Sequence, residues 1–417
     1  MRQDTIEPIR LPSGTTLVIV PDSSAPATAI VASVRIGGVE QRRQAGIAAL
    51  LARMLGGDSQ GRTPELLQRD VEGFGVLGTQ YDGNQLTLWS VCPPTEAALV
   101  QSAQALLLNT LAQPRFTEGA LEQARTDQLR AVTLWGEDLV PRLLRGLQAR
   151  ALGTELAVQG DSESLRRVSN ADVQAFYGRY CTPERTTIAV VGNFEADVAR
   201  RWVETSLNIG DWSQRSISTK ELLPTTEPVP PGLRDRFVPS LRGVSALAVG
   251  YLFPGLSQPT ARADWAALLV LDAVLGLGKA CRLFRLRDDQ ALAYEVRSQL
   301  LPARDATLWG AYLLGNQDPA LMKQALLKTL AEAVQKPILE IEIARAKALL
   351  LAQRNQQRQL VLTRARTLVW AESSGLGAAF ELEFTRRIEA VKRSEVERVA
   401  RTLLTGNPVI VRTRTEG

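Results

Sequence analysis

The spacing of apolar positions changes period several times along this chain, and each change predicts an element. Thr16–Val20 and Ala29–Ile36 read as an extended pair that leads through Gly37-Gly38 into a helix over Gln44–Leu55. Thr63-Pro64 combines a good N-cap with proline at the first helical position, so a short helix is expected to follow it. Strand periodicity returns over Gln85–Val91, ahead of long helical patterns from Thr95 to Ala112 and from Thr117 to Trp135. A helix over Ser169–Tyr180 and a strand over Thr186–Val191 close this half.

Neither period holds across residues 216–235, where Pro224, Pro228, Pro230, Pro231 and Gly232 crowd together as an interdomain linker would. A similar order then returns. Strand Val244–Leu252, apolar helix Ala261–Leu275, short helix Arg282–Asp289 and strands Ala293–Leu300 and Ala306–Leu314 precede long helices ending at Leu404 and a last strand, Val409–Thr413. The expected fold is α+β, with one module over 1–215 and a similar one over 236–417. Each has about 200 residues, an ordinary domain size.

Composition narrows the function classes. The 417 residues are 45% apolar, ample for two cores. The charge of +5 is spread along the chain without basic runs, which argues against nucleic acid. Cys92, Cys181 and Cys281 lie far apart without metal-ligand spacing and read as buried, reduced thiols. Met1–Pro8 has no secretory pattern, and Asp272 interrupts Trp265–Leu277, the most apolar helix candidate, so a soluble, cytoplasmic protein is expected. Histidine is absent altogether, which removes the commonest forms of zinc hydrolysis and triad chemistry.

Leu11–Val20, Gly37-Gly38, Gly46–Leu55, Asn170–Tyr180, Ile188–Gly192 and Cys281–Tyr294 occur in an order that resembles pitrilysin-type inverted-zinc-motif peptidases, the processing peptidases among them. The resemblance implies two α/β rolls forming a half-shell. It also places the family's His-x-x-Glu-His helix at Gly46–Leu55, where one helical face holds two zinc ligands and the glutamate activates water. In this chain the first histidine falls on Ala49, the glutamate on Ala52 and the second histidine on Arg53. The distal glutamate falls on Ala131, or with a one-residue slip on Arg130 or Val132, and the acid before it on Ala124. Methyl groups offer no lone pair and Arg53 brings a fixed cation, so no zinc or other cofactor is expected here.

Arg287 and Tyr294, seven residues apart, match a family pair that contacts substrate carbonyls and stabilises the oxyanion. Read alone, they are a solvated arginine paired with Asp288 or Asp289 and a tyrosine that starts a strand. With the resemblance, they imply a non-catalytic subunit of a heterodimeric zinc peptidase: a homologous His-x-x-Glu-His partner holds the metal, and this chain supplies chamber wall, peptide-binding surface and the pair. The alternatives are a structural core subunit of a larger, respiratory-type complex, or a homodimeric chamber that binds peptide without cutting it.

Other patterns carry less. Gly57–Gly61 has nucleophile-elbow spacing but no histidine base, and Gly276–Lys279 lacks the rest of a phosphate loop and reads as a turn. Asn84–Val91, where relatives offer an edge strand to substrate, reads as ordinary sheet pairing, and Glu340–Trp370 as a solvated helical tract.

Overall fold

The computed structural model describes residues 7–36, 44–56, 75–151, 159–208, 210–215, 235–238, 243–302 and 306–413. Gly37-Gly38, the helix after Thr63-Pro64, Gly57–Gly61 and the linker up to residue 234 lie outside the described residues. Asp235 begins a strand.

Six strands form the first sheet: β1 (Ile9–Arg10), β2 (Thr16–Pro21), β3 (Thr28–Arg35), β4 (Val76–Tyr81), β5 (Gln85–Cys92) and β6 (Thr186–Gly192). Their order is β1-β2-β6-β3-β5-β4, so β6 separates the two N-terminal strands expected as a pair. β6 runs parallel to β2 and antiparallel to β3, with Ala189 opposite both Val18 and Val31. Every residue of β3 except Arg35 is buried, as expected of a strand covered on both faces. Leu17, Ile30 and Ile188 pack with the helices Ile47–Met54, Asn170–Tyr180 and Ala196–Leu207 on one face. Val18, Val31 and Val191 pack on the other against Ala365, Leu368 and Val369 of the helix Val361–Ser374. That second face is further tied by Gln85, which accepts from Ser33 Oγ at 2.5 Å and donates to Ser373 Oγ at 2.6 Å. β5 is an interior strand, consistent with ordinary sheet pairing.

The second sheet contains β7 (Asp235–Val238), β8 (Ser245–Pro254), β9 (Glu295–Pro302), β10 (Ala306–Gly315) and β11 (Val409–Thr413), ordered β7-β11-β8-β10-β9. This repeats the arrangement β2-β6-β3-β5-β4 and supports the duplication read from element order. Leu143 and Leu147 of the helix Leu139–Ala151 pack with Ala248, Leu308 and Val411 on one face. Gly250 is needed there, because a Cβ would lie 2.1 Å from a Leu147 methyl.

Two compact units result, and neither follows the sequential cut. The first comprises residues 1–132, 156–224 and 356–382; the second comprises 133–155, 225–355 and 383–417. Each sheet is thus covered on one face by a helix from the other half of the sequence. The tract Glu340–Trp370 is correspondingly two helices, Glu340–Arg358 and Val361–Ser374, and the second is sheet-packed, not a solvated face.

Candidate functional site

The helix Ile47–Met54 starts at Gly46, whose φ of 86° is left-handed. A Cβ at Gly46 would meet Gly160 Cα at 2.8 Å, so glycine is required by both conformation and backbone approach. Ala49 and Ala52 are each 4% exposed and pack as core methyls, leaving no donor atom on the face where metal ligands would project. Thr79 of β4 donates its hydroxyl to the Ala52 carbonyl oxygen, joining the helix to the sheet edge.

Arg53 donates from Nε to Gln128 Oε1 at 2.7 Å. Gln128 is 1% exposed, and its Nε2 donates to both Gln159 O and Gln159 Oε1 at 2.9 Å. The residue of the Glu118–Glu137 helix that meets Arg53 is therefore Gln128, three positions before Ala131. Ala124 is buried, and Ala131 is half-buried. Positions 124, 128 and 131 share a helical face, the signal that could have singled out Gln128. A guanidinium and an oriented amide cannot stand in for a zinc ligand set, and the described residues contain no group of three His, Cys, Asp or Glu that could hold a metal.

Arg287 belongs to the short helix Arg285–Asp288. Its Nε lies 3.7 Å from Asp288 Oδ1 and its guanidinium 5.1 Å from the Phe284 ring centroid, leaving the side chain 48% exposed. Tyr294 is 51% exposed and immediately precedes β9, with its backbone N–H donating to Leu314 O at 2.8 Å. No hydrogen bond joins the pair among the described residues. The Asp288 pairing and strand-start position fit the reading of each residue alone, and both residues are about half exposed. Ala291, between them, has a φ of 49°, and the turn closes with Leu292 N–H donating to Leu286 O at 2.9 Å.

All three cysteines are buried and free, and burial raises each thiol pKa, that of Cys181 to about 12. None is a ready nucleophile. Asp272, 5% exposed on the helix Pro259–Gly276, accepts from Ser298 Oγ at 2.6 Å and Trp309 Nε1 at 2.7 Å. Burial pushes its carboxyl up to about 6 against these two bonds. Gly276 must lack a Cβ to admit Ser298, and Gly278, with φ +75°, makes the following turn.

Residues 167–350 match the family model described as the Peptidase M16 inactive domain. No curated protein matches the sequence. A protease from Helicobacter pylori is similar over 98% of this chain and 99% of its own, with TM-score 0.85 and 16% identity. A peptidase M16 inactive domain from Pseudomonas fluorescens gives TM-score 0.82 and 18% identity over 98% and 97%. A chain of Complex III2 from Candida albicans gives 0.79 and 17% over 98% and 95%. At these identities the structural likeness establishes the fold.

Proposed function

We propose that this chain is a catalytically inactive relative of the M16 peptidases and serves as the non-catalytic subunit of a heterodimeric zinc peptidase. The observation that carries the reading is a contrast between two places. Positions 49 and 52 are buried methyls and Arg53 is bonded to Gln128, while the Arg287 side chain and Tyr294 each stay about half exposed. A homologous subunit with an intact His-x-x-Glu-His motif would hold the zinc. This chain would supply chamber wall, peptide-binding surface and two hydrogen-bond donors for the carbonyl oxygen under attack.

The test is a reconstituted complex carrying Arg287→Ala with Tyr294→Phe. Loss of these donors should lower kcat by about 10²- to 10³-fold, while unchanged turnover would remove the pair from the mechanism. The likeness to a Complex III2 chain favours a second reading, a scaffold subunit without proteolysis. A co-purifying homologue with the zinc motif supports the peptidase subunit; a respiratory assembly supports the scaffold.

A further inference from the structure

The Cys281–Tyr294 motif also builds an open cleft of about 910 Å³ in the second unit, with Arg282, Arg285, Asp289 and Leu292 on its wall. Arg287 and Tyr294 do not line it. The lining also includes one stripe of the helix Pro319–Gln335, running through Leu321, Ala325, Lys328 and Glu332. At 1.5 Å per residue this stripe is about 16 Å long.

The cleft's chemistry is asymmetric. Leu321 is 52% exposed and Leu339 57%, and together with Leu292 they put an open apolar surface at a concave site. Four cations and three carboxylates line the cleft. Arg282 and Glu342 neutralise each other through bonds of 2.8 and 2.7 Å, and Lys336 pairs with Glu332 at 3.1 Å. Arg285 and Lys328 remain, with Asp289 as the remaining carboxylate in the lining. The cationic field also registers on Glu332, which the Lys336 hydrogen bond and charge, then Lys328 and Arg282, hold below its ordinary range.

We infer that this cleft docks an acidic amphipathic peptide segment of a partner protein, its apolar side chains on Leu292, Leu321 and Leu339 and its carboxylates on Arg285 and Lys328. The charge balance decides the sign. A basic segment would face two cations with Asp289 alone to offset them, whereas an acidic one meets two donors beside an apolar floor. Docking requires neither zinc nor Arg287 and Tyr294, so it goes beyond the proposed role in a partner's active site.

The experiment uses the full chain and a fluorescein-labelled 15-residue peptide with leucine along one helical stripe and glutamate elsewhere. A counterpart with lysine for glutamate serves as control, and fluorescence anisotropy reads both. The acidic peptide should bind at least about tenfold more tightly than the basic one, the scale of two screened charge contacts. Arg285→Glu with Lys328→Glu should reverse the preference, and Leu321→Asp should weaken acidic-peptide binding about tenfold. Circular dichroism verifies folding; if the double reversal does not fold, Arg285→Ala with Lys328→Ala should abolish the preference. Arg201→Ala, which removes an exposed cation outside the cleft, should bind as the unaltered chain does, and because the assay uses this chain without a zinc-bearing partner its outcome is independent of the proposed catalytic support. Equal binding of the two peptides, binding of neither, or insensitivity to the charge and Leu321 variants overturns the inference.

Discussion

Arg53 donates through Nε to Gln128 Oε1 at 2.7 Å, and Gln128 in turn holds the backbone oxygen of Gln159. A cation fixed by the protein's own covalent structure thus sits where the family resemblance places a metal ligand. Arg53 joins its helix to Glu118–Glu137 through Gln128, whose Nε2 also holds the turn at Gln159.

Gln128→Leu should lower stability by about 1–3 kcal/mol, because the Gln159 carbonyl and Arg53 Nε lose a partner at a 1%-exposed position. Urea denaturation measures the change. An unaltered midpoint would show that the network contributes nothing to folding.

Asp272 should give the second unit a pH-dependent stability. Its native carboxyl titrates near 6, above the ordinary 3.8, because burial disfavours the charged form. The native state therefore binds the proton more tightly than the unfolded chain. This contribution is complete below about pH 4 and is lost as pH rises through 6. Asp272→Asn should flatten that slope, with a differential of roughly 2–3 kcal/mol between pH 4 and 7. Thermal unfolding across this range would decide it; parallel curves for the two proteins would contradict the assignment.

Ala291→Gly should stabilise the chain by about 0.5–1 kcal/mol, since φ 49° strains an alanine more than a glycine, partly offset by glycine's unfolded-state freedom. Denaturation of the single variant tests this. A loss of stability would mean that the methyl group contributes packing that outweighs the backbone strain.

Glu342→Gln should cost about 3 kcal/mol, because the Arg282 and Glu342 side chains are 12% and 14% exposed and one charge would be left without its partner. Arg282→Met with Glu342→Leu should cost less than the single change. Chemical denaturation of both variants checks the order, and the reverse order would mean that the pair itself stabilises the fold.

The elements were largely legible because one buried face imposes one period. Gln85–Val91 becomes β5 over Gln85–Cys92, and Val409–Thr413 is β11 as read. The Thr95–Ala112 tract divides into an α-helix, Glu96–Ala103, and a π-helix, Gln104–Ala112, a change of register that apolar spacing does not distinguish. β4 went unread: its half-exposed residues carry little alternation, and Gly78 is there because a Cβ would strike the Trp89 ring at 2.3 Å. Periodicity marks the apolar face of Val361–Ser374 but not the sheet that receives it, which is formed by strands from the other half of the chain. On the helix Glu118–Glu137 the resemblance points to Ala131, and the residue that bonds Arg53 is Gln128, one turn away, a pairing that only the approach of the two helices reveals.

The most direct measurement of the central claim is peptide hydrolysis, with bound zinc quantified, for this chain alone, for a His-x-x-Glu-His homologue alone and for their mixture. The expected result is zinc and residual activity with the homologue, none with this chain, and a sharp rise on mixing that Arg287→Ala with Tyr294→Phe suppresses. Zinc-dependent cleavage by this chain alone would contradict its assignment as the inactive partner, and a mixture no more active than the homologue would contradict the support it is proposed to give.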